Sequence, residues 1–277
     1  MWWSPAPAPC YFVLARLLKR AGVGKAVYYC HNVFPHEKHW FANTLTRLAL
    51  GSADTFLTHT ERDAQTLRRL FPATPVQKLF HPLYDVFPKK GISQQEAQKA
   101  VRVPCRVLLF FGHVRKYKGL QTLIRAMPRV LEQQDCHLLI AGEFYEPKEK
   151  YTDMIAAAGL NEKITIHDRY VANDRVEEYF AAADLVVLPY ESASQSGVVQ
   201  VAYHFDTPVV TTTVGGLPEA VQPGKTGYLV PPENPRALAD AIRQFYREKD
   251  AVDFKSNIQS FKAGFSWESL TRLVEKV

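Results

Sequence analysis

From Arg106 onward, short runs of nearly uninterrupted apolar residues alternate with stretches of helical periodicity, and few architectures accept that order. The runs are Arg106–Phe111, His137–Ala141, Ile164–His167, Leu185–Leu188, Pro208–Thr211 and Tyr228–Val230. Between and after them, Leu120–Leu131, Lys148–Ala158, Asp174–Ala183, Gly197–Phe205 and a stretch from Pro235 to about Arg247 place apolar residues at helical spacing. A strand that is apolar along its whole length has both faces covered. Strands of this kind alternating with helices predict a parallel sheet sandwiched between two helical layers.

Upstream the same pattern is sparser. Ala26–Cys30, Thr55–Thr58 and Val76–Phe80 read as strands, and Tyr11–Ala21, Trp40–Leu50 and Glu61–Leu70 as helices. The predicted organisation is a partial amino-terminal Rossmann-like domain over 1–88, a linker over 89–104, a second Rossmann-like domain over 105–260, and a carboxy-terminal helix over 261–277. Residues 1–88 fall short of the roughly 150 residues of a full Rossmann-type half. The first strands are therefore expected to be missing, as in a fragment or a degenerate protein.

Composition narrows the function. The chain has 277 residues, 47% of them hydrophobic, enough for a sizeable core. No apolar run approaches the ~20 residues of a spanning helix. The cysteines Cys10, Cys30, Cys105 and Cys136 form no CxxC pair, which argues against a zinc or redox motif and for free thiols in a reducing cytosol. The net charge of +6 would suit nucleic acid, but the basic residues are interspersed with acidic ones and no RNA- or DNA-binding signature is present. Anionic small molecules or an anionic membrane surface fit this charge as well.

Three strand-to-helix loops carry the candidate chemistry. In the first, Gly112-His113-Val114-Arg115-Lys116-Tyr117-Lys118-Gly119, Gly112 permits a tight turn and Arg115 and Lys118 offer cations at the start of a helix. In the second, Tyr190 is followed by Glu191-Ser192-Ala193-Ser194-Gln195-Ser196-Gly197, small residues that present backbone N–H groups to an anion at a helix start. In the third, Gly215 and Gly216 allow close approach of a ligand, and Glu219 is placed to accept hydrogen bonds from sugar or ribose hydroxyls. Each loop alone also suits an ordinary turn or helix cap. No GxGxxG fingerprint is present, which argues against NAD or FAD.

Taken together and in this order, GHVRKYKGLQTLIRAM, HLLIAGE, EEYFAAADLVVLPYESASQSG and DTPVVTTTVGGLPEAVQPGKTGYLVPPENPRALADAI resemble the carboxy-terminal domain of family 4 retaining glycosyltransferases, the group 1 glycosyl transferases of GT-B fold. Cys30–Glu37 and Ala53–His59 look like later strands of their amino-terminal domain. The resemblance implies an α/β, GT-B-like chain, two Rossmann-type parallel-sheet domains facing a cleft, the amino-terminal one incomplete. It implies transfer of a sugar from a UDP- or GDP-type donor to a glycan, lipid or polysaccharide precursor, with retention, no cofactor and no metal. By the same resemblance His31, Arg115 and Lys118 are expected to be catalytic. Gly112, His113, Tyr190, Gln195, Ser196, Gly197, Gly215, Gly216 and Glu219 are expected to bind the donor, and His36 and Glu37 to stand on the acceptor side. The nucleobase is expected near Ala141-Gly142-Glu143 or Tyr170. A cytoplasmic protein, with peripheral contact at the inner face of an anionic membrane and no nucleic-acid partner, completes the expectation.

The chain departs from the family at two places. Relatives carry two glutamates with seven residues between them; counting back from Thr207-Pro208, these positions hold Ala193 and Val201. The family's Arg after the strand-ending Gly is His113, with Arg115 two places on. The missing glutamates put a carboxylate at the reaction centre in doubt, and the short amino-terminal half supports a rival reading, a nucleotide-sugar-binding module without catalysis. Turnover with an acceptor separates the two.

Overall fold

The computed structural model describes residues 8–22, 24–31, 33, 42–104 and 106–275. They fall into two compact units, Met1–His81 with Trp267–Val277, and Pro82–Ser266.

The first unit runs α1 (Ala8–Arg20), β1 (Val27–Cys30), α2 (Ala42–Leu50), β2 (Thr55–Thr58), α3 (Glu61–Leu70) and β3 (Val76–Lys78), joined by the helix Trp267–Val274. The strands form a parallel sheet in the order β1-β2-β3, with Tyr28 opposite Phe56 and Phe56 opposite Val76. Central β2 is buried along its length, and its alternate residues feed two small cores. Phe56 packs with Cys30, Val33, Leu50 and Leu67, and Leu57 with Leu79 and Leu270. Thr60 starts α3 by accepting from Asp63 N, satisfying one of the helix's first free N–H groups. On α1, Val13, Leu14, Leu17 and Leu18 are exposed.

The second unit continues with α4 (Gln94–Ala100), β4 (Val107–Phe111), α5 (Leu120–Leu131), β5 (His137–Ala141), α6 (Glu149–Ala157), β6 (Ile164–His167), α7 (Val176–Ala182), β7 (Leu185–Leu188), α8 (Gly197–His204), β8 (Val209–Thr212), α9 (Leu217–Ala220), β9 (Gly227–Val230), α10 (Pro235–Glu248) and α11 (Phe254–Lys262). Its sheet is parallel throughout, in the order β6-β5-β4-β7-β8-β9. Alternation along each strand divides the core. Leu108 and Phe110 of β4 face α5, α6 and α10, whereas Val107 and Leu109 face α4, α7, α8 and α11. Fully burying each such leucine contributes about 1.5–3 kcal/mol, which is why the apolar runs were legible as strands.

The strand order reverses its direction of growth between β4 and β7. Ligands of open parallel sheets bind outside the carboxyl ends of the strands at such a switch point. The stretch 89–104, read as a linker, holds α4, which begins with a reciprocal capping box between Ser93 and Glu96 and packs on α7. Just before it, the buried carboxylate of Glu177 accepts from Lys90 N at 2.6 Å and Gly91 N at 2.7 Å. No helix among the described residues is long and apolar enough to cross a membrane.

Candidate functional site

Three loops leave the carboxyl ends of β4, β7 and β8 and interlock through their backbones. Glu191 N donates to Tyr117 O at 2.7 Å, tying the β7 loop to the β4 loop. Gly216 N donates to Ser194 O at 2.8 Å, tying the β8 loop to the β7 loop. The glycines make this approach possible. Gly119 (φ +68°) and Gly215 (φ +55°) adopt left-handed backbone, and a Cβ on either would overlap a carbonyl oxygen, of Pro189 and Ala193 respectively.

Lys118 ends a short 3-10 turn (Lys116–Lys118) and points inward. Its side chain is 8% exposed, and a Cβ on Gly112 would lie 3.0 Å from Nζ. Nζ also sits 5.6 Å from the centroid of the Tyr190 ring. Among the described residues no carboxylate pairs with it; burial first, and the nearby Arg115 charge second, push its pKa down to about 8. A buried cation without a counter-ion is costly unless something supplies negative charge. Arg115 itself is exposed, its guanidinium 4.5 Å above the Tyr145 ring. His113 is exposed too, with Nδ1 3.6 Å from Glu143 Oε2 and its ring 4.8 Å from Tyr145.

The second loop ends at α8. Ser196 occupies the N-cap position, but its hydroxyl donates to Tyr190 Oη at 3.3 Å instead of capping the helix. The first N–H groups of α8 thus have no side-chain cap, and an uncapped helix start favours an anion. Val198, in that first turn, comes within 3.7 Å of a Cβ placed on Gly112. The structure therefore brings Gly112, Lys118, Tyr190, Ser196 and Gly197 into one locale, with Gly215 and Gly216 joined to it through the β7 loop. Gln195 is half-buried in that loop, and Glu219 is exposed on α9. Ala193 presents a carbonyl to Gly215, and Val201 is buried in α8. Of the two places considered for the base, Gly142 lies against Gly112, and Tyr170 is exposed with its hydroxyl 3.3 Å from Asn173 Oδ1.

In the first unit His31 follows β1, and it belongs to a row the sequence reading did not see. His59, at the end of β2, has ring centroids 5.3 Å from His31 and 5.0 Å from His81. His59 is buried and doubly held, by Tyr29 Oη at 2.7 Å from Nε2 and by Phe80 O at 3.0 Å from Nδ1. Burial, followed by the neighbouring His81 and His31, pushes its pKa down to about 3; burial also lowers that of His31. His36 and Glu37 lie outside the described residues. Parallel register was the available signal for the row, since strand ends of neighbouring parallel strands fall side by side. Tyr84, whose ring abuts Gly197, carried no such signal. Among the described residues no group of three or more His, Cys, Asp or Glu could hold a metal ion.

Comparison with known proteins gives the family and the fold. The family described as "Glycosyl transferases group 1" matches residues 105–248, just over half of the chain. A D-inositol 3-phosphate glycosyltransferase from Mycobacteroides abscessus is 30% identical over 224 residues, covering 78% of this chain and 49% of its own length. The chain thus spans about half the length of the relatives it matches. Among solved structures, Anabaena HepE in complex with UDP superposes with a TM-score of 0.81 at 18% identity, covering 97% of this chain and 76% of that one. Another structure of HepE holds UDP-glucose. Sucrose-phosphate synthase from Thermosynechococcus elongatus gives a TM-score of 0.73 at 19% identity, covering 96% and 70%. At these identities the solved structures speak for a shared GT-B-type fold.

Proposed function

The chain belongs to the group 1 glycosyl transferases, and from that premise we propose that it moves a sugar from a nucleoside diphosphate donor to a glycan or lipid-linked acceptor with retained anomeric configuration. The observation that carries the donor reading is the buried ammonium of Lys118, unpaired among the described residues, beside Gly112 and the start of α8, which has no side-chain cap. In the proposed reaction the bond between the sugar's C1 and the β-phosphate oxygen breaks. A new bond forms from C1 to the acceptor oxygen on the same face, and the acceptor's proton is released. The departing diphosphate gains charge as it leaves. Lys118, the N–H groups at the start of α8 and Arg115, once it leaves Tyr145, meet that charge with a preorganised field, the largest contribution expected in such a transfer.

In this proposal Gly112, His113, Tyr190, Gln195, Ser196, Gly197, Gly215 and Gly216 shape the donor site, and Glu219 accepts from donor hydroxyls. His31 is proposed as catalytic on the family resemblance, and no divalent metal takes part because Lys118 and Arg115 supply the positive charge. A uridine donor is the first to try, since HepE holds UDP-glucose. Contact with an anionic membrane is proposed through exposed Val13, Leu14 and Leu17 of α1 with the nearby Arg16 and Arg20.

One observation favours the rival module: Ala193 and Val201 leave the two family glutamate positions without carboxylates. The deciding experiment titrates UDP and GDP into the chain in EDTA, then follows UDP or GDP release from the corresponding sugar nucleotides with candidate acceptors. Binding with release of the nucleoside diphosphate supports the enzyme. Binding without it supports the module, and loss of binding in EDTA that Mg²⁺ restores contradicts metal independence.

A further inference from the structure

Tyr84 lies outside every loop that the sequence pattern singles out, yet its ring rests on the first residue of α8. A Cβ on Gly197 would lie 2.6 Å from Tyr84 Cε2 and 3.2 Å from its hydroxyl oxygen. Gly197 is not among the positive-φ glycines, so its backbone conformation does not demand glycine. A Cβ there would push against the Tyr84 ring. One residue on, Val198 comes within 3.7 Å of a Cβ on Gly112, and Lys118 Nζ within 3.0 Å of the same point. Tyr84 thus packs on the first turn of α8 at Gly197, and Val198 of that turn packs beside Gly112 and the buried Lys118.

The chemistry of these groups is complementary. Lys118 is nine-tenths buried and has no anion among the described residues to pair with, so its surroundings call for a negatively charged ligand. The open N–H groups of α8 call for the same. A half-buried phenol against them does two things. Its ring keeps water from the first turn of α8, which strengthens any hydrogen bond made there. Its O–H is a donor that a phosphoryl oxygen can accept.

We propose that Tyr84 is a donor-binding residue, its ring closing the α8 side of the anion site and its Oη–H donating to a phosphoryl oxygen of the nucleoside diphosphate held by Lys118. This inference rests on the donor reading given above and assigns to that site a residue from the segment preceding α4.

The test measures UDP and GDP binding by calorimetry to the whole chain and to four variants: Tyr84→Phe, Gly197→Ala, the two combined, and Lys118→Met. Tyr84→Phe keeps the ring and so keeps the fold, which an unchanged melting temperature verifies. It is expected to weaken the better-binding nucleotide about 3- to 10-fold, the loss of one hydrogen bond. Gly197→Ala pushes the ring away and is expected to weaken it by at least as much. Adding Tyr84→Phe to Gly197→Ala should then cost nothing further. Wild-type affinity in Tyr84→Phe, with Lys118→Met impaired, overturns the role of Tyr84 and leaves the donor reading standing. Full additivity of the two variants also overturns it. Failure of the unmodified chain to bind either nucleotide overturns the donor reading, and this inference with it.

Discussion

Replacing Lys118 with methionine should make the ligand-free protein more stable and the donor site worse. Lys118 is 8% exposed, and its pKa falls from the ordinary 10.5 to about 8, chiefly through burial. Such a fall corresponds to about 3 kcal/mol of penalty on the charged form in the fold. The sign follows from proton counts. The unfolded chain holds the Lys118 proton more tightly, so between pH 8 and 10.5 the folded state binds fewer protons and stability rises with pH. Below pH 8 the whole penalty is present. Lys118→Met keeps the length of the side chain and removes the charge, so at pH 7 it should raise unfolding free energy by about 1–3 kcal/mol. Urea denaturation of both proteins at pH 7 reads this difference. Nucleotide binding should move the other way, weakening about 10- to 100-fold on loss of a charge-assisted hydrogen bond. In the unmodified protein a bound diphosphate draws the Lys118 proton back. Calorimetry at pH 8.5–9, in two buffers of different ionisation enthalpy, should therefore detect proton uptake on UDP binding, with uptake fading toward pH 7. A variant that is less stable than the parent and binds UDP undiminished would refute the reasoning, because Lys118 would then be a structural lysine.

Gly119→Ala meets both a left-handed backbone (φ +68°) and the carbonyl of Pro189, and should cost about 2 kcal/mol or more in urea denaturation. His59 stays neutral because burial pushes its pKa from 6.5 to about 3, so the folded state binds fewer protons than the unfolded chain across that window. Stability of the first unit should then fall by about 1.4 kcal/mol per pH unit as pH drops below about 6, and His59→Phe, followed by tyrosine fluorescence, should flatten that dependence. Amide exchange should be slow in β4, β5, β7 and β8, which are interior to the six-stranded sheet, and faster in the three-stranded sheet, whose β1 and β3 are its edges; equal protection in both would contradict the smaller cores of the first unit.

The second unit was legible in the sequence because burial on both faces writes strands as apolar runs. His137–Ala141, Ile164–His167 and Leu185–Leu188 were read with their observed bounds, and Thr55–Thr58 as well. The loops of the site were legible for a related reason. Glycines at 112, 119 and 215 mark places where the chain must turn left-handed or touch other backbone. What escaped was structure made by polar residues. Helix α4 is Gln94–Ala100, with Ala97 its single buried residue, so it shows no apolar stripe; only the Ser93–Glu96 capping box announced it. α11 is hidden for the same reason, with only Phe254 and Ile258 buried. Contacts distant in sequence escaped too. Nothing local in Pro82–Asp85 says that Tyr84 meets Gly197, and nothing in Lys116–Lys118 says which of its cations turns inward. The row of His31, His59 and His81 becomes visible only when three parallel strand ends are placed side by side.

The central claim, that the second unit holds the diphosphate of a sugar nucleotide at Lys118 and the start of α8, is tested most directly by a crystal structure of the chain with UDP or GDP bound. Phosphoryl oxygens are expected within about 3 Å of Lys118 Nζ and of an N–H in the first turn of α8. A nucleotide whose diphosphate lies elsewhere, with Lys118 still buried and unpaired, would contradict it.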